Sequence, residues 1–119
     1  MKKIYLASPY SDDDPEVERK RFESVCKIAA SLISEGCLVF CPIAHSHPIH
    51  IHGDMRTDSG YWAKLNESWL DWCDELWIAN MPNWHQSKGI RREMKYAKKI
   101  GKKIEITKPY GYSGSGREE

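Results

Sequence analysis

A chain of 119 residues, 40% of them apolar and five of them tryptophan, is sized for one domain with a real core. Its 18 lysines and arginines are matched by 17 acids, which sets aside a general nucleic-acid binder, since such a protein carries a basic excess. No apolar run approaches the ~20 residues of a membrane span, and the apolar part of "MKKIYLASPYS" is too short for a signal peptide.

In chain order, "KIYLAS" (3–8) is a short apolar run ending in a turn, and reads as a buried strand. Asp14 followed by Pro15 predicts a helix start, with proline at the first helical position. Phe22, Val25, Cys26, Ala29, Leu32 and Ile33 mark one face of that helix, and Gly36 stops it. "CLVFCP" (37–42) is a second buried strand. Residues 42–58 read as a long irregular loop, because Pro48 and Gly53 interrupt them. "TDSGYWAKLNESWLDWCDE" resumes helical spacing, with Trp62, Leu65, Trp69, Trp72 and Cys73 expected on the inner face. "LWIANM" (76–81) is a third strand, "SKGIRREMKYAKKIG" a helix stopped by Gly101, and "KKIEI" (102–106) a fourth strand. Strands alternating with helices predict a small doubly wound, flavodoxin-like α/β domain, a parallel sheet covered on both faces. The domain is expected over 1–108, with a flexible Gly/Ser-rich tail at 109–119. The cysteines, Cys26, Cys37, Cys41 and Cys73, form no CxxC pair and are expected as reduced thiols of a cytoplasmic protein.

In such sheets ligands sit beyond the carboxyl ends of the strands. "CPIAHSHPIHIHGD" belongs there and holds four of the five histidines. A closed zinc site needs ligands in a fixed geometry, and neither HExxH nor paired CxxC is present. A polar segment over the cleft, its imidazoles serving backbone or substrate, is the stronger reading; a His-loop metal-binding protein is the alternative. Glu93 is the only acid in the last helix and falls beside Ile90, Met94 and Ala97, at the edge of the apolar face. Its neighbours three and four positions away, Gly89, Ile90, Tyr96 and Ala97, include no base, so an ion pair within the helix does not explain it. Asn66 likewise falls among Trp62, Trp69 and Cys73, while Glu67, Asp71 and Asp74 read as a solvated face.

On three segments the chain resembles the nucleoside 2-deoxyribosyltransferase-like superfamily: "IYLASPYS", "LNESWLDWCDELWIANM" and "SKGIRREMKYAKKIGKKI". The resemblance spans roughly residues 3–106. It implies N-glycosidase or deoxyribosyltransferase chemistry on a nucleoside or its 5′-monophosphate, with Glu93 as the nucleophile that forms a covalent glycosyl ester. Ser87 stands where transferases acting on free nucleosides tend to have aspartate, and with Gly89 it implies a phosphate site at a helix N-terminus. Ser8, Pro9 and Tyr10 are implied for the sugar or phosphate. Asn66 stands where the family commonly has an aspartate that assists the departing base, and an amide cannot donate a proton as an acid. His45 and His47 are then the candidates to serve the base, with Trp69 beside them and His85 as a third imidazole. The implied partner is a small-molecule nucleoside or nucleotide, with no cofactor, no metal, no nucleic acid and no membrane. A homodimer or higher homo-oligomer is also implied, the tryptophan-rich helix suiting its interface. A non-catalytic nucleotide-sensing module of the same fold is the reading from another class.

Overall fold

The computed structural model describes residues 1–53 and 59–109. Its elements are β1 (Lys3–Ala7), α1 (Pro15–Ser34), β2 (Leu38–Phe40), α2 (Pro42–Gly53), α3 (Ser59–Trp72), β3 (Glu75–Asn80), α4 (Lys88–Lys99) and β4 (Lys103–Pro109), with a single 3-10 turn at Trp84–Gln86. All strand pairs are parallel, in the order β2-β1-β3-β4. The chain leaves β1 toward β2 and then returns past it to β3, so the order reverses between β1 and β3. Such a switch point opens a crevice beyond the strand ends.

Alternation along the strands sends side chains to two cores. Tyr5 and Ala7 of β1 and Leu76 and Ile78 of β3 pack with Leu70, Cys73, Ile90 and Ala97 under α3 and α4. Leu6 and Ala79 pack with Val25, Ile28, Ala29 and Leu32 under α1. This is the doubly wound α/β arrangement expected, and both faces of the sheet are covered. The first helix begins as expected: the Asp14 carboxylate accepts the Glu16 N–H at 2.9 Å, and Pro15 opens the helix. Its stop, Gly36, has φ +97°, a left-handed conformation that favours glycine.

Three expectations are corrected. Residues 42–53 are a helix rather than a loop. Pro42 opens it with fixed φ, and the first turn closes from His45 N–H to the Cys41 carbonyl at 3.1 Å. Pro48 removes one interior donor without ending the helix, because Ile43 and Ala44 pack onto the α1 core. Next, the inner face of α3 is centred on Leu70, 1% exposed, while Trp69 and Trp72 are 39% and 48% exposed and Leu65 is also exposed. Size and hydrophobicity misplace the tryptophans: Leu70 lies four residues beyond Asn66, and Cys73 three beyond Leu70, so these positions form the stripe that meets the sheet. Finally, β4 runs to Pro109 rather than ending at Ile106. The expected tail beyond it, 110–119, lies outside the described residues.

The four cysteines are free. Burial pushes Cys41 up to about 12 and Cys73 up to about 11, which keeps both as thiols near neutral pH. Among the described residues no helix is long and apolar enough to cross a membrane.

Candidate active site

A cleft of about 680 Å³ opens where the strand order reverses. The segment after β1 forms one wall, α2 and α1 a second, and α3 with the start of α4 a third. Of the residues singled out from sequence, Glu93, Asn66, Ser8, Pro9, Tyr10, His47, Ser87 and Gly89 line it together. His45 and Trp69 do not. Trp69 stacks on Phe40 at 4.2 Å between ring centroids, and His45 lies against the same pair on the outer side of α2. His85 is exposed in the turn before α4 and does not line the cleft either.

Helical geometry explains the split of the histidines. Residues two apart on a helix point about 200° from each other. His45 therefore faces away from His47, while His47 and His50, three apart, share the cleft side. Among the described residues no three His, Cys, Asp or Glu side chains converge as metal ligands. Asp54, which flanks the histidines in sequence, lies outside the described residues.

Glu93 stands in the second turn of α4 and partners the sheet below. The Tyr5 hydroxyl donates to its Oε2 at 2.5 Å. Burial raises the Glu93 carboxyl from 4.5 to about 7, against the opposing pull of the Tyr5 hydrogen bond and of Arg92. Tyr5 itself is fully buried, and burial with the adjacent Glu93 holds its phenol well above 10, so it remains a donor. The pair is a carboxylate with a fixed orientation, an open cleft above it and a proton equilibrium near neutrality. Such a group can act as a nucleophile or as a base.

Ser87 is the N-cap of α4, its Oγ accepting the Ile90 N–H at 3.2 Å. At Gly89 an added Cβ would meet only Ser87 Oγ, at 3.7 Å, an ordinary contact. Packing within the protein therefore does not require glycine there, although glycine costs a helix roughly 1 kcal/mol relative to alanine. What the missing side chain leaves is open access from the cleft to the helix N-terminus. On the opposite wall Ser8 is 7% exposed, and its hydroxyl has no hydrogen-bond partner among the described residues.

His47 is held on two sides. Its ring stacks on Phe22 at 4.3 Å, and its Nδ1 lies 2.6 Å from the Tyr10 hydroxyl. Burial and the nearby Glu18 push Tyr10 up to about 12, so the phenol keeps its proton. In the tautomer in which Tyr10 donates to Nδ1, the imidazole proton sits on Nε2. Burial lowers the His47 pKa, more than Glu18 opposes it, and the ring is neutral near pH 7. Arg21 of α1 bonds the Tyr10 and Ser11 carbonyls at 3.2 and 3.0 Å and fixes this corner of the cleft.

Over residues 2–108 the chain matches the model of a family described as a domain of unknown function, DUF1937. The chain belongs to the DUF1937 family. No curated protein matches it.

Sequence reasoning missed several lining groups of this DUF1937 domain. Glu67 reaches the cleft rather than solvent alone, and Glu18, Arg21, Arg92 and Tyr96 line it too. Tyr5 was hidden inside an apolar strand. Its one legible signal is that a phenol in a fully buried strand must find a hydrogen-bond partner.

Proposed function

We propose that this DUF1937 domain cleaves the N-glycosidic bond of a nucleoside or nucleoside 5′-monophosphate through Glu93. The observation that carries the reading is the Glu93 carboxylate, oriented by the buried Tyr5 hydroxyl and facing a cleft that ends on an uncovered helix N-terminus. The resemblance to the nucleoside 2-deoxyribosyltransferase-like superfamily supports it, because the same Glu93, Ser87 and Gly89 match that pattern.

In this mechanism a Glu93 oxygen forms a bond to C1′ of the sugar while the C1′–N bond breaks. The bonding pair leaves with the base, which takes up a proton from solvent, because Asn66 and neutral His47 supply hydrogen bonds and no acidic proton. Water, or a second base in a transferase, then attacks C1′, gives up its proton to solvent, and breaks the C1′–O bond to Glu93, which frees the carboxylate. A negative charge beside an oxocarbenium-like centre stabilises it, and two displacements replace one harder step. The helix N-terminus at Ser87 and Gly89 takes the 5′-phosphate. Asn66 and the Nε2–H of His47 hydrogen-bond the departing base, and no cofactor enters. The test is incubation with a panel of nucleosides and 5′-monophosphates, followed by detection of free base. Absence of release from every member would sink the reading.

A non-catalytic nucleotide-sensing module is the second reading, and Asn66 is the observation that favours it, since the amide cannot protonate a leaving base. Retained binding with no release from any substrate would select it. We also place self-association at the outer face of α3, where Tyr61, Leu65, Trp69 and Trp72 are exposed together. Sedimentation of wild type against Trp72→Lys tests this.

Replacing Ser87 by aspartate should invert substrate preference. Aspartate caps a helix as well as serine, so α4 should stay folded. Its charge repels a phosphate dianion and accepts from a 5′-hydroxyl. kcat/KM for a 5′-monophosphate should fall relative to that for the parent nucleoside by about 100-fold, the scale of a lost charge-assisted contact plus a new repulsion. Equal losses on both would remove the phosphate site.

The two central histidines should separate. His47→Gln should slow base release about tenfold, the value of one hydrogen bond of about 1.4 kcal/mol made to charge developing on the base. His45→Gln should leave release near wild type, since His45 faces away. Poor leaving bases should suffer more than activated ones in the His47 variant. Equal slowing for both would make His47 a binding residue only.

A further inference from the structure

The cleft continues past the groups that a nucleoside monophosphate would use. It follows α4 from Lys88 and Gly89 through Arg92 and Glu93 to Tyr96. On the solvent side of that edge, Lys88, Arg92, Lys95 and Lys99 recur at spacings that form one stripe of the helix. All four are exposed, and none forms an ion pair among the described residues.

The N-terminal end of this stripe has the wrong sign for the helix by itself, whereas Lys99 in the last turn suits it. The first turn of an α-helix favours acids, because its free N–H groups carry partial positive charge. The first turn of α1 obeys this, with Glu16 and Glu18. The first turn of α4 has no acid and begins with Lys88, followed by Arg91 and Arg92. Cations there cost stability unless an anion sits among them. Ser8, buried and without a partner in the same cleft, is an independent sign that a polar ligand completes the site. Across the cleft, α3 presents Glu67, and beyond it Asp71 Oδ1 accepts the Tyr96 hydroxyl at 2.6 Å. An extended anion is therefore kept off α3 and directed along the outer edge of α4.

Resting on the reading of the cleft as a nucleotide site, we infer that the substrate is a nucleotide whose 5′-phosphate carries at least one further phosphate, held by the Lys88–Arg92–Lys95–Lys99 edge. The shared chemistry is a chain of phosphate charges continuing from the 5′ position. It is met by a nucleoside 5′-diphosphate and also by the 3′-terminal nucleotide of a single strand, whose 5′-phosphate continues as a phosphodiester.

Binding is measured on the Glu93→Gln protein, so that no ligand is consumed, by quenching of tryptophan fluorescence; Trp62 lines the cleft. The ligands are a 5′-monophosphate, the matching 5′-diphosphate and a short single strand ending in the same nucleotide, for each common base. At least one extended ligand should bind about tenfold more tightly than the monophosphate, the scale of one added charge-assisted contact. A gain for the diphosphate alone identifies an anhydride chain; a gain for the single strand identifies a polynucleotide end. In the Lys95→Ala, Lys99→Ala background the gain should vanish while monophosphate affinity stays within about twofold. A control pair, Lys27→Ala with Lys98→Ala, removes the same charge elsewhere and should keep the gain. Equal affinity for all ligands, or equal loss in the control pair, overturns the inference. Base release is assayed separately on the protein with Glu93 intact. Release from monophosphates with no gain for extended ligands defeats this inference alone. A gain without any release defeats the glycosidase reading and leaves the extended anion site standing. No binding by any ligand defeats both.

Discussion

Glu93→Gln should lose base release by at least about 1000-fold while the protein becomes more stable at pH 8. The amide keeps the size of the side chain and still accepts from Tyr5, but it cannot attack C1′. The stability gain follows from where the native carboxyl titrates. Its ordinary value is 4.5 and burial raises it to about 7 in the fold. The folded state therefore holds this proton more tightly than the unfolded chain does. Between these values the folded state binds more protons, so stability falls as pH rises, and above about 7 the buried charge is carried in full. That difference is on the order of 3 kcal/mol. Glutamine does not titrate and removes the slope. Denaturant midpoints of the two proteins, each compared between pH 5 and pH 8, should show wild type losing stability with rising pH relative to the variant. A variant that turns over at near wild-type rate would remove Glu93 from the chemistry. A variant whose deficit is the same at both pH values would show that the carboxylate is well partnered instead of strained by burial.

Glu93 was legible in the sequence for the same reason that it titrates high. It is the one acid on a basic helix and falls on the apolar side, with no base three or four positions from it. The order of strands and helices was legible because its punctuation is local: Asp14 with Pro15 opens α1, and Gly36 and Gly101 take the positive φ angles that end α1 and α4. Where local and tertiary preferences diverge, the sequence misled. Pro48 signals a break, yet α2 continues through it because one side of its first turn is packed on the α1 core. Trp69 and Trp72 outweigh Leu70 in any hydrophobic reading, yet the smaller side chain is the one that fits under α3. Once α2 is a helix, the clustered histidines are separated by geometry, and only His47 and His50 face the cleft. That Tyr5 needs a partner was legible, but not which one, because the pairing depends on a strand and a helix residue 88 positions apart meeting at one hydrogen bond.

Tyr5→Phe should move the pH dependence of base release upward. In the native protein the Tyr5 hydroxyl lowers the Glu93 pKa against the larger effect of burial, leaving it at about 7. kcat/KM should therefore rise with pH through about 7, as the carboxyl loses its proton and becomes nucleophilic. Phenylalanine keeps the buried ring and removes the donor. The carboxylate then loses its hydrogen bond while the burial that raises its pKa remains. The rising limb should move to higher pH by about one pH unit, the equivalent of a charge-assisted hydrogen bond of about 1.5 kcal/mol. At pH 6.5 this leaves roughly tenfold less ionised carboxylate. At pH 9 ionisation should be nearly complete in both proteins, so the ionisation part of the defect should disappear there. Any loss that persists reports the orientation that Tyr5 imposes on the attacking oxygen. A purely structural role would lower activity by the same factor at every pH and leave the midpoint of the limb unchanged. That result would reduce Tyr5 to packing, and the coupling between the floor of the sheet and the nucleophile would have to be abandoned. A shifted limb, with the unfolding transition retained at pH 9, would establish Tyr5 as the group that keeps a buried carboxylate usable near neutral pH.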